Sequence, residues 1–274
     1  MKTLEDFLAE GAKGDLLPWA VQAAAVERFQ RSCRHVEETA LGLGLLPARY
    51  QRNRKTISIE QQRTLLQSQV AVIGCGGLGG YVIEQLARLG VGTLVAVDPD
   101  VFEEHNLNRQ ILSSMAAIGR PKVLMAEERV AAINPAVTLV PLCDRFEASN
   151  VRPYLEKCQV VVDAVDTVSV RLAISDVCEQ IGVPLVHGAI AGWYGQITTE
   201  YSGDRALRAL YQHASGDRGE ERSLGNPSFT PAVVASLQSV EVCKILIGVG
   251  TSLRHRVLTL DLLDMNFEEI SLPH

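Results

Sequence analysis

The chain has 274 residues, 47% of them hydrophobic and 21% charged, and a net charge of −6. It is long enough to bury a sizeable core, and its acidic balance argues against a nucleic-acid partner, which would need a basic surface. No apolar run reaches the roughly 20 residues of a membrane span, so no membrane partner is expected.

The opening "MKTLEDFLAEGAKGD" lacks the apolar core of a secretory signal, which predicts a cytoplasmic protein. Residues 1–48 are predicted to be an N-terminal helical extension. Its stretch "LLPWAVQAAAVERFQRSCRHVEETALGLGLLP" carries apolar residues at helical spacing and is bounded by Pro18 and Pro47. It reads as a packing or dimer-forming arm, separate from the rest of the chain. A basic segment, "ARYQRNRKTIS", comes next.

Residues 49–274 are predicted to form one further domain. The short apolar runs "VAVIG", "TLVAVD", "VTLVPL", "QVVVDAVD" and "VPLVHGA" read as strands. Between them, "LGGYVIEQLARLG", "PKVLMAEERVAAINP" and "VRLAISDVCEQIG" have helical periodicity. Unbroken apolar strands alternating with helices predict a parallel sheet covered on both faces. After Ala191 the pattern changes. "GQITTEYSG" reads as an antiparallel strand, and residues 203–228 are polar and without periodicity. "PAVVASLQSVEVCKILIG" is an amphipathic helix, and "HRVLTLDLLDMNFEEISL" is a closing hairpin. The fold class is therefore α/β: Rossmann-like and doubly wound, with a mainly parallel sheet, antiparallel C-terminal strands and the helical extension.

Gly74-Cys75-Gly76-Gly77-Leu78-Gly79 matches G-x-G-x-x-G between a strand and a helix. Glycines there permit a tight turn and let the backbone approach a phosphate at the helix N-terminus. Gly74, Gly76, Gly77 and Gly79 are the candidate nucleotide-binding glycines. Asp98, closing the next strand, is placed to accept hydrogen bonds from a ribose. On these residues alone NAD, FAD and ATP all remain open.

The next segment of the chain narrows the choice. Asp98, the run Asn106-x-x-Arg109-Gln110 and Gly119-x-Pro121-Lys122 are joined by "RYQRN", "DAVDT", "GWYGQIT" and the "SLQSVEVCKI" helix. In this order they resemble the ThiF/MoeB/HesA family, bacterial relatives of ubiquitin-activating enzymes, from about Arg49 to the end. The resemblance implies an ATP-dependent adenylyltransferase that uses Mg²⁺. The implied substrate is the C-terminal carboxylate of a ubiquitin-like sulfur carrier protein ending in Gly-Gly, and the implied assembly is a homodimer.

Two anions must meet in such a site. Unit charges about 4 Å apart repel by roughly 4 kcal/mol at an effective dielectric near 20, so fixed cations are required. Arg109 and Lys122 are the candidates. Arg52 matches the family arginine that reaches ATP from the neighbouring protomer, and Asn106 and Gln110 match polar positions near the nucleotide. Asp166 matches the aspartate linked to magnesium and adenylation, with Asp163 as its support and Arg171 in the pattern after it. Thr167 departs from the usual asparagine.

Other residues carry open readings at this point. Lys122 could be an exposed first-turn lysine, and Arg109 could pair with Glu103 or Glu104. His187 could serve as a base, although a histidine at a strand end is more often structural. Trp193 and Tyr194 either line the pocket or pack. The 203–228 loop is expected to close over the carrier's tail. The six cysteines include no C-x-x-C pair, so no zinc site is expected. That loop also lacks the thiol some relatives place there, and Cys243 falls on an apolar helix. Chemistry is thus expected to stop at the acyl-adenylate. Competing readings are activation of a peptide or a modified tRNA base, a non-catalytic ATP-binding scaffold, and an NAD-dependent oxidoreductase.

Overall fold

The computed structural model describes residues 2–212, 216–217 and 224–272. The N-terminal segment folds into α1 (Leu4–Gly11), β1 (Leu16–Leu17), α2 (Trp19–Phe29), α3 (Cys33–Gly42) and β2 (Leu46–Pro47). The two short strands pair in parallel, and Leu8, Leu17, Ala25, Val36 and Ala40 make a small core of their own.

This segment is joined to the rest of the chain by buried polar contacts. Glu37 is fully buried and accepts from Tyr50 Oη at 2.8 Å and from Arg49 Nη1 at 2.9 Å. Asn134 Nδ2 donates to Tyr50 Oη at 2.7 Å, and Arg49 Nη2 donates to Gln22 Oε1 at 3.1 Å. Burial pushes the Glu37 carboxyl up, and Arg49 and the Tyr50 hydroxyl partly offset it. Residues 1–48 thus keep a small core of their own and also contribute side chains to an interior shared with the rest of the chain.

A helix without a periodic signature comes next, α4 (Ile59–Gln67). Its start is a capping box in which Gln61 N donates to Ser58 Oγ at 3.2 Å and Ser58 N to Gln61 Oε1 at 2.9 Å. The sheet then begins with β3 (Gln69–Ile73), α5 (Gly77–Leu89), β4 (Thr93–Val97), α6 (Lys122–Ile133), β5 (Thr138–Leu142), α7 (Ala148–Leu155), β6 (Val160–Asp163), α8 (Val168–Ile181) and β7 (Leu185–Ala191). It closes with β8 (Tyr194–Glu200), α9 (Ala206–Tyr211), α10 (Phe229–Ile247), β9 (Arg256–Asp261) and β10 (Asn266–Ser271).

The eight strands run in the order β10-β9-β8-β7-β6-β3-β4-β5. β7, β6, β3, β4 and β5 are parallel to one another; β8, β9 and β10 add antiparallel pairs. Residues alternate between two cores as the two-residue period demands: Val70 and Val72 face α5 and α10, while Ala71 and Ile73 face the α8 side. Apolar faces on both sides explain the unbroken hydrophobic runs.

By length and composition α10 could cross a membrane, contrary to the expectation that no run is long and apolar enough. It packs instead against α5 and the face of β6, β7 and β8. The short helices α7 and α9 were not expected either. In the second, Leu207 is fully buried and its backbone N–H donates to Glu200 Oε2 at 2.7 Å, so a tertiary carboxylate caps a segment too short to show a period.

Candidate nucleotide cleft

β3 and β6 are neighbours, but the chain leaves β3 toward β4 and leaves β6 toward β7. Their carboxyl ends therefore open a crevice, the usual ligand position in a doubly wound sheet. Gly74 N donates to Val97 O at 2.8 Å and Ala164 N to Ile73 O at 2.9 Å, which ties the three strand ends together. Gly74 has φ +94°, and a Cβ there would lie 2.7 Å from Ala164 O. At Gly79 a Cβ would lie 1.8 Å from Gly74 O. Gly79 thus lets α5 pack onto the loop and does not line the cleft, whereas Gly74, Gly76 and Gly77 do. α5 has no side-chain N-cap, which leaves its first N–H groups facing a cleft of about 540 Å³.

Asp98 sits beside the glycine loop, at the end of β4. Its Oδ2 accepts from Cys75 N at 2.7 Å and its Oδ1 from Asp100 N at 2.8 Å. Burial pushes this carboxyl up, and Lys122 and the two backbone donors partly offset the shift. Lys122 opens α6 but is only 7% exposed, so it is no solvated first-turn lysine. Its Nζ lies 3.0 Å from Asp100 Oδ2 and 3.9 Å from Asp98 Oδ1. Arg109 lines the cleft beside Gly77. It pairs with neither Glu103 nor Glu104; its Nη1 donates to His105 O at 3.1 Å and to Asn108 Oδ1 at 2.9 Å. Gln110 lines the cleft beside Gly76, and its buried Oε1 has no hydrogen-bond partner.

Besides Gly79, two predicted residues fall outside the lining. Asn106 is buried and accepts from Glu103 N at 3.0 Å, shaping the turn that carries Arg109. Arg52 is exposed on the turn between Tyr50 and Ser58 and does not reach the cleft of its own chain.

At the end of β6 the two aspartates separate. Asp166 is exposed on the cleft, with Oδ1 accepting from the Thr167 hydroxyl at 3.0 Å. Asp163 is fully buried; its Oδ2 meets Arg171 Nη1 at 3.0 Å and His187 Nδ1 at 2.7 Å, and its Oδ1 accepts from Val165 N at 3.1 Å. Arg171 Nη1 also donates to Gly188 O at 2.8 Å, and His187 Nε2 is 3.1 Å from Tyr211 Oη. This polar cluster holds the 163–167 turn. Burial raises the Asp163 carboxyl, but Arg171, His187 and Val165 N–H outweigh it and leave it below its ordinary value. Burial lowers His187, so its ring is neutral at pH 7.

These shifts have one sign. Each folded-state value is depressed, so each group adds stability above its unfolded value and loses it as pH falls toward the folded one. For His187 the loss begins near 6.5. Thermal melts are expected to drop as pH falls below about 6.5, with a slope of up to about 1.4 kcal/mol per pH unit from this histidine. His187→Gln should flatten that part of the curve. An unchanged slope would show that the histidine titrates as it does in the unfolded chain.

Sequence reasoning missed several lining residues. Arg145, Phe146 and Glu147 come after β5 and could have been found from the rule that ligands sit beyond strand carboxyl ends. Asn226 lies on the 203–228 segment, whose lack of periodicity gave no signal. Trp193 and Tyr194, by contrast, are exposed and outside the cleft; Trp193 packs against Phe229 with ring centroids 4.5 Å apart. Burial pushes up the thiols of Cys75, Cys178 and Cys158, the last to about 11, and that of the half-buried Cys243, whereas Cys143 is exposed. Among the described residues, no three His, Cys, Asp or Glu side chains cluster as metal ligands.

Residues 50–274 match the ThiF family. The chain is 39% identical over 213 residues to the SAMP-activating enzyme E1 of Haloferax volcanii, covering 77% of this chain and 79% of that one. It is 33% identical over 220 residues to the sulfur carrier protein adenylyltransferase of Thermus thermophilus, covering 77% and 81%. The plant adenylyltransferase and sulfurtransferase MOCS3 relatives are longer, and the chain spans about half their length. In fold it is similar to Escherichia coli MccB solved with ATP, with a TM-score of 0.69 at 16% identity, covering 92% of this chain and 82% of that one. The chain belongs to the ThiF family.

Proposed function

We propose that this protein is an ATP-dependent adenylyltransferase acting on the C-terminal carboxylate of a ubiquitin-like sulfur carrier. The observation that carries the reading is the convergence of the glycine loop, Arg109, Lys122, Asp98 and Asp166 on one cleft at the strand switch point. Asp98 would accept from the ribose hydroxyls, and the open start of α5 would hold phosphate oxygens. A carboxylate oxygen of the substrate forms a bond to the α-phosphorus, and the bond from that phosphorus to the bridging oxygen breaks to release pyrophosphate. No base is needed, because a terminal carboxyl with a pKa near 3.5 is already ionised at neutral pH. Arg109 stabilises the charge that builds on the transferring phosphoryl group.

The lining carries the basic side chains Arg109, Lys122, Arg145 and Arg171 and the carboxylates Asp98, Asp100, Glu147 and Asp166. Side chains alone therefore cannot balance a triphosphate. A Mg²⁺ arriving with the nucleotide fits, since that ion takes one or two carboxylates plus phosphate oxygens and water. Asp166 is the carboxylate offered to it, and the ion would supply charge neutralisation.

Arg52 stands exposed outside its own cleft, which supports its delivery to the site of a second protomer and hence a homodimer. Closure of the 203–228 loop over the carrier's tail belongs to this reading, although residues 213–215 and 218–223 lie outside the described residues. Burial of the Cys75, Cys158 and Cys178 thiols supports an end point at the acyl-adenylate, with a later nucleophile from another protein.

ATP–pyrophosphate exchange tests the proposal. Exchange is expected with a sulfur carrier ending in Gly-Gly and not with the same carrier shortened by those two residues. Exchange indifferent to the carrier's end, or nucleotide binding with no exchange at all, would overturn it.

A further inference from the structure

The cleft has two ends, and Asn226 marks the one that the nucleotide does not need. Asp98 closes β4, the glycine loop closes β3, and Asp166 comes just after β6. Asn226 is tied to the far side, beyond β7, because Gly192 N donates to Gly225 O at 2.7 Å just after that strand. From β4 to β7 is three strand spacings, about 14 Å. With the ribose at Asp98 and the phosphates at the glycine loop, Asn226 lies on the acyl side of the reacting phosphorus.

Its backbone is held from both walls. Asn108 Nδ2 donates to Asn226 O at 3.0 Å, one residue before Arg109, and Thr230 Oγ1 donates to Gly192 O at 2.6 Å. The side chain is a different matter. It lines the cleft, and its Oδ1 is buried with no hydrogen-bond partner. A buried acceptor left unpaired in a pinned segment is costly unless a ligand completes it.

The chemistry of that ligand can be read from the amide. The unpaired atom is an amide oxygen, an acceptor only, and the backbone N–H of an extended peptide is a donor that would complete it. We propose that Asn226 binds the last peptide bond of the acyl substrate: its Oδ1 accepts from the terminal residue's N–H. This rests on the adenylation reading and adds a specificity-determining residue to it. The enzyme selects a peptidyl carboxylate over a free amino acid or a simple acid, and it does so beside Arg109. Pinning the strap in advance keeps the ordering cost of binding low.

A carrier assembled by peptide ligation, ending either in Gly-Gly or in Gly-glycolate, tests the assignment. The second replaces the terminal N–H by an ester oxygen and removes only the donor that Oδ1 requires. Wild type is expected to lose at least about 10-fold in kcat/KM on the ester, because an unmatched polar group is penalised, while Asn226→Ala treats the two carriers alike. The variant's ATP affinity should stay within about twofold of wild type, which also reports that it is folded. Equal discrimination by wild type and variant, or none by wild type, overturns the role of Asn226 and leaves adenylation standing. Failure of wild type to activate the Gly-Gly carrier overturns both.

Discussion

Arg109→Ala is expected to lower ATP–pyrophosphate exchange at least about 100-fold while leaving the melting temperature within a degree or two. Loss of one pre-positioned charge contact to a transition state typically costs that much rate. Stability should hold because the guanidinium's hydrogen bonds are local, to His105 O and Asn108 Oδ1. Lys122→Ala should match the loss of exchange but also destabilise. Its ammonium neighbours the buried Asp98 and pairs with Asp100, so truncation leaves a desolvated carboxylate without its nearest cation. The pair of variants thereby separates catalysis from fold. Radiolabelled pyrophosphate exchange at saturating carrier and ATP, with a thermal melt on the same samples, reads both. Near-normal exchange in Arg109→Ala would mean that the phosphates lie elsewhere.

The contrast between these two cations shows what the sequence could say. Arg109 and Lys122 were legible as site residues because an ordered set of motifs surrounds them. That Lys122 is buried and bound to two carboxylates was not, since Asp100 lies twenty-two positions away and its reach depends on how β4 ends. The five parallel strands were legible from unbroken apolar runs, and the last hairpin from its alternation. α4 was announced only by Ser58 and Gln61, a capping pair easily passed over in a basic segment. α9 is six residues long, and a carboxylate from β8 caps it. Such features are set by tertiary partners that no local window contains. The same applies to Glu37, which reads as a surface helix acid yet sits fully buried beneath Tyr50 and Arg49. Asn226 is the strongest case, because its backbone is fixed by Gly192 and Asn108, remote segments that meet only in the folded chain.

The aspartates after β6 should behave oppositely when each is changed to asparagine. Asp166→Asn is expected to lose at least about 100-fold in exchange and to need more Mg²⁺ for the residual activity, with no change in melting beyond a degree or two. Its carboxylate is exposed and bonded only to the neighbouring Thr167 hydroxyl, so the fold loses little. Asp163→Asn removes the countercharge of Arg171, which is 3% exposed, and the acceptor of His187, which is fully buried. Breaking a buried pair on one side costs about 3–5 kcal/mol. For a chain of this size that is a fall in melting temperature on the order of 10 °C. Exchange by Asp163→Asn should recover on cooling, because the residue acts by holding the 163–167 turn and not by touching ATP. Parallel melts and exchange assays at two temperatures decide the matter. If Asp166→Asn melted early while Asp163→Asn stayed stable and inactive, the buried aspartate would be the one in the chemistry. The cluster of Arg171, His187 and Tyr211 would then be its activating shell.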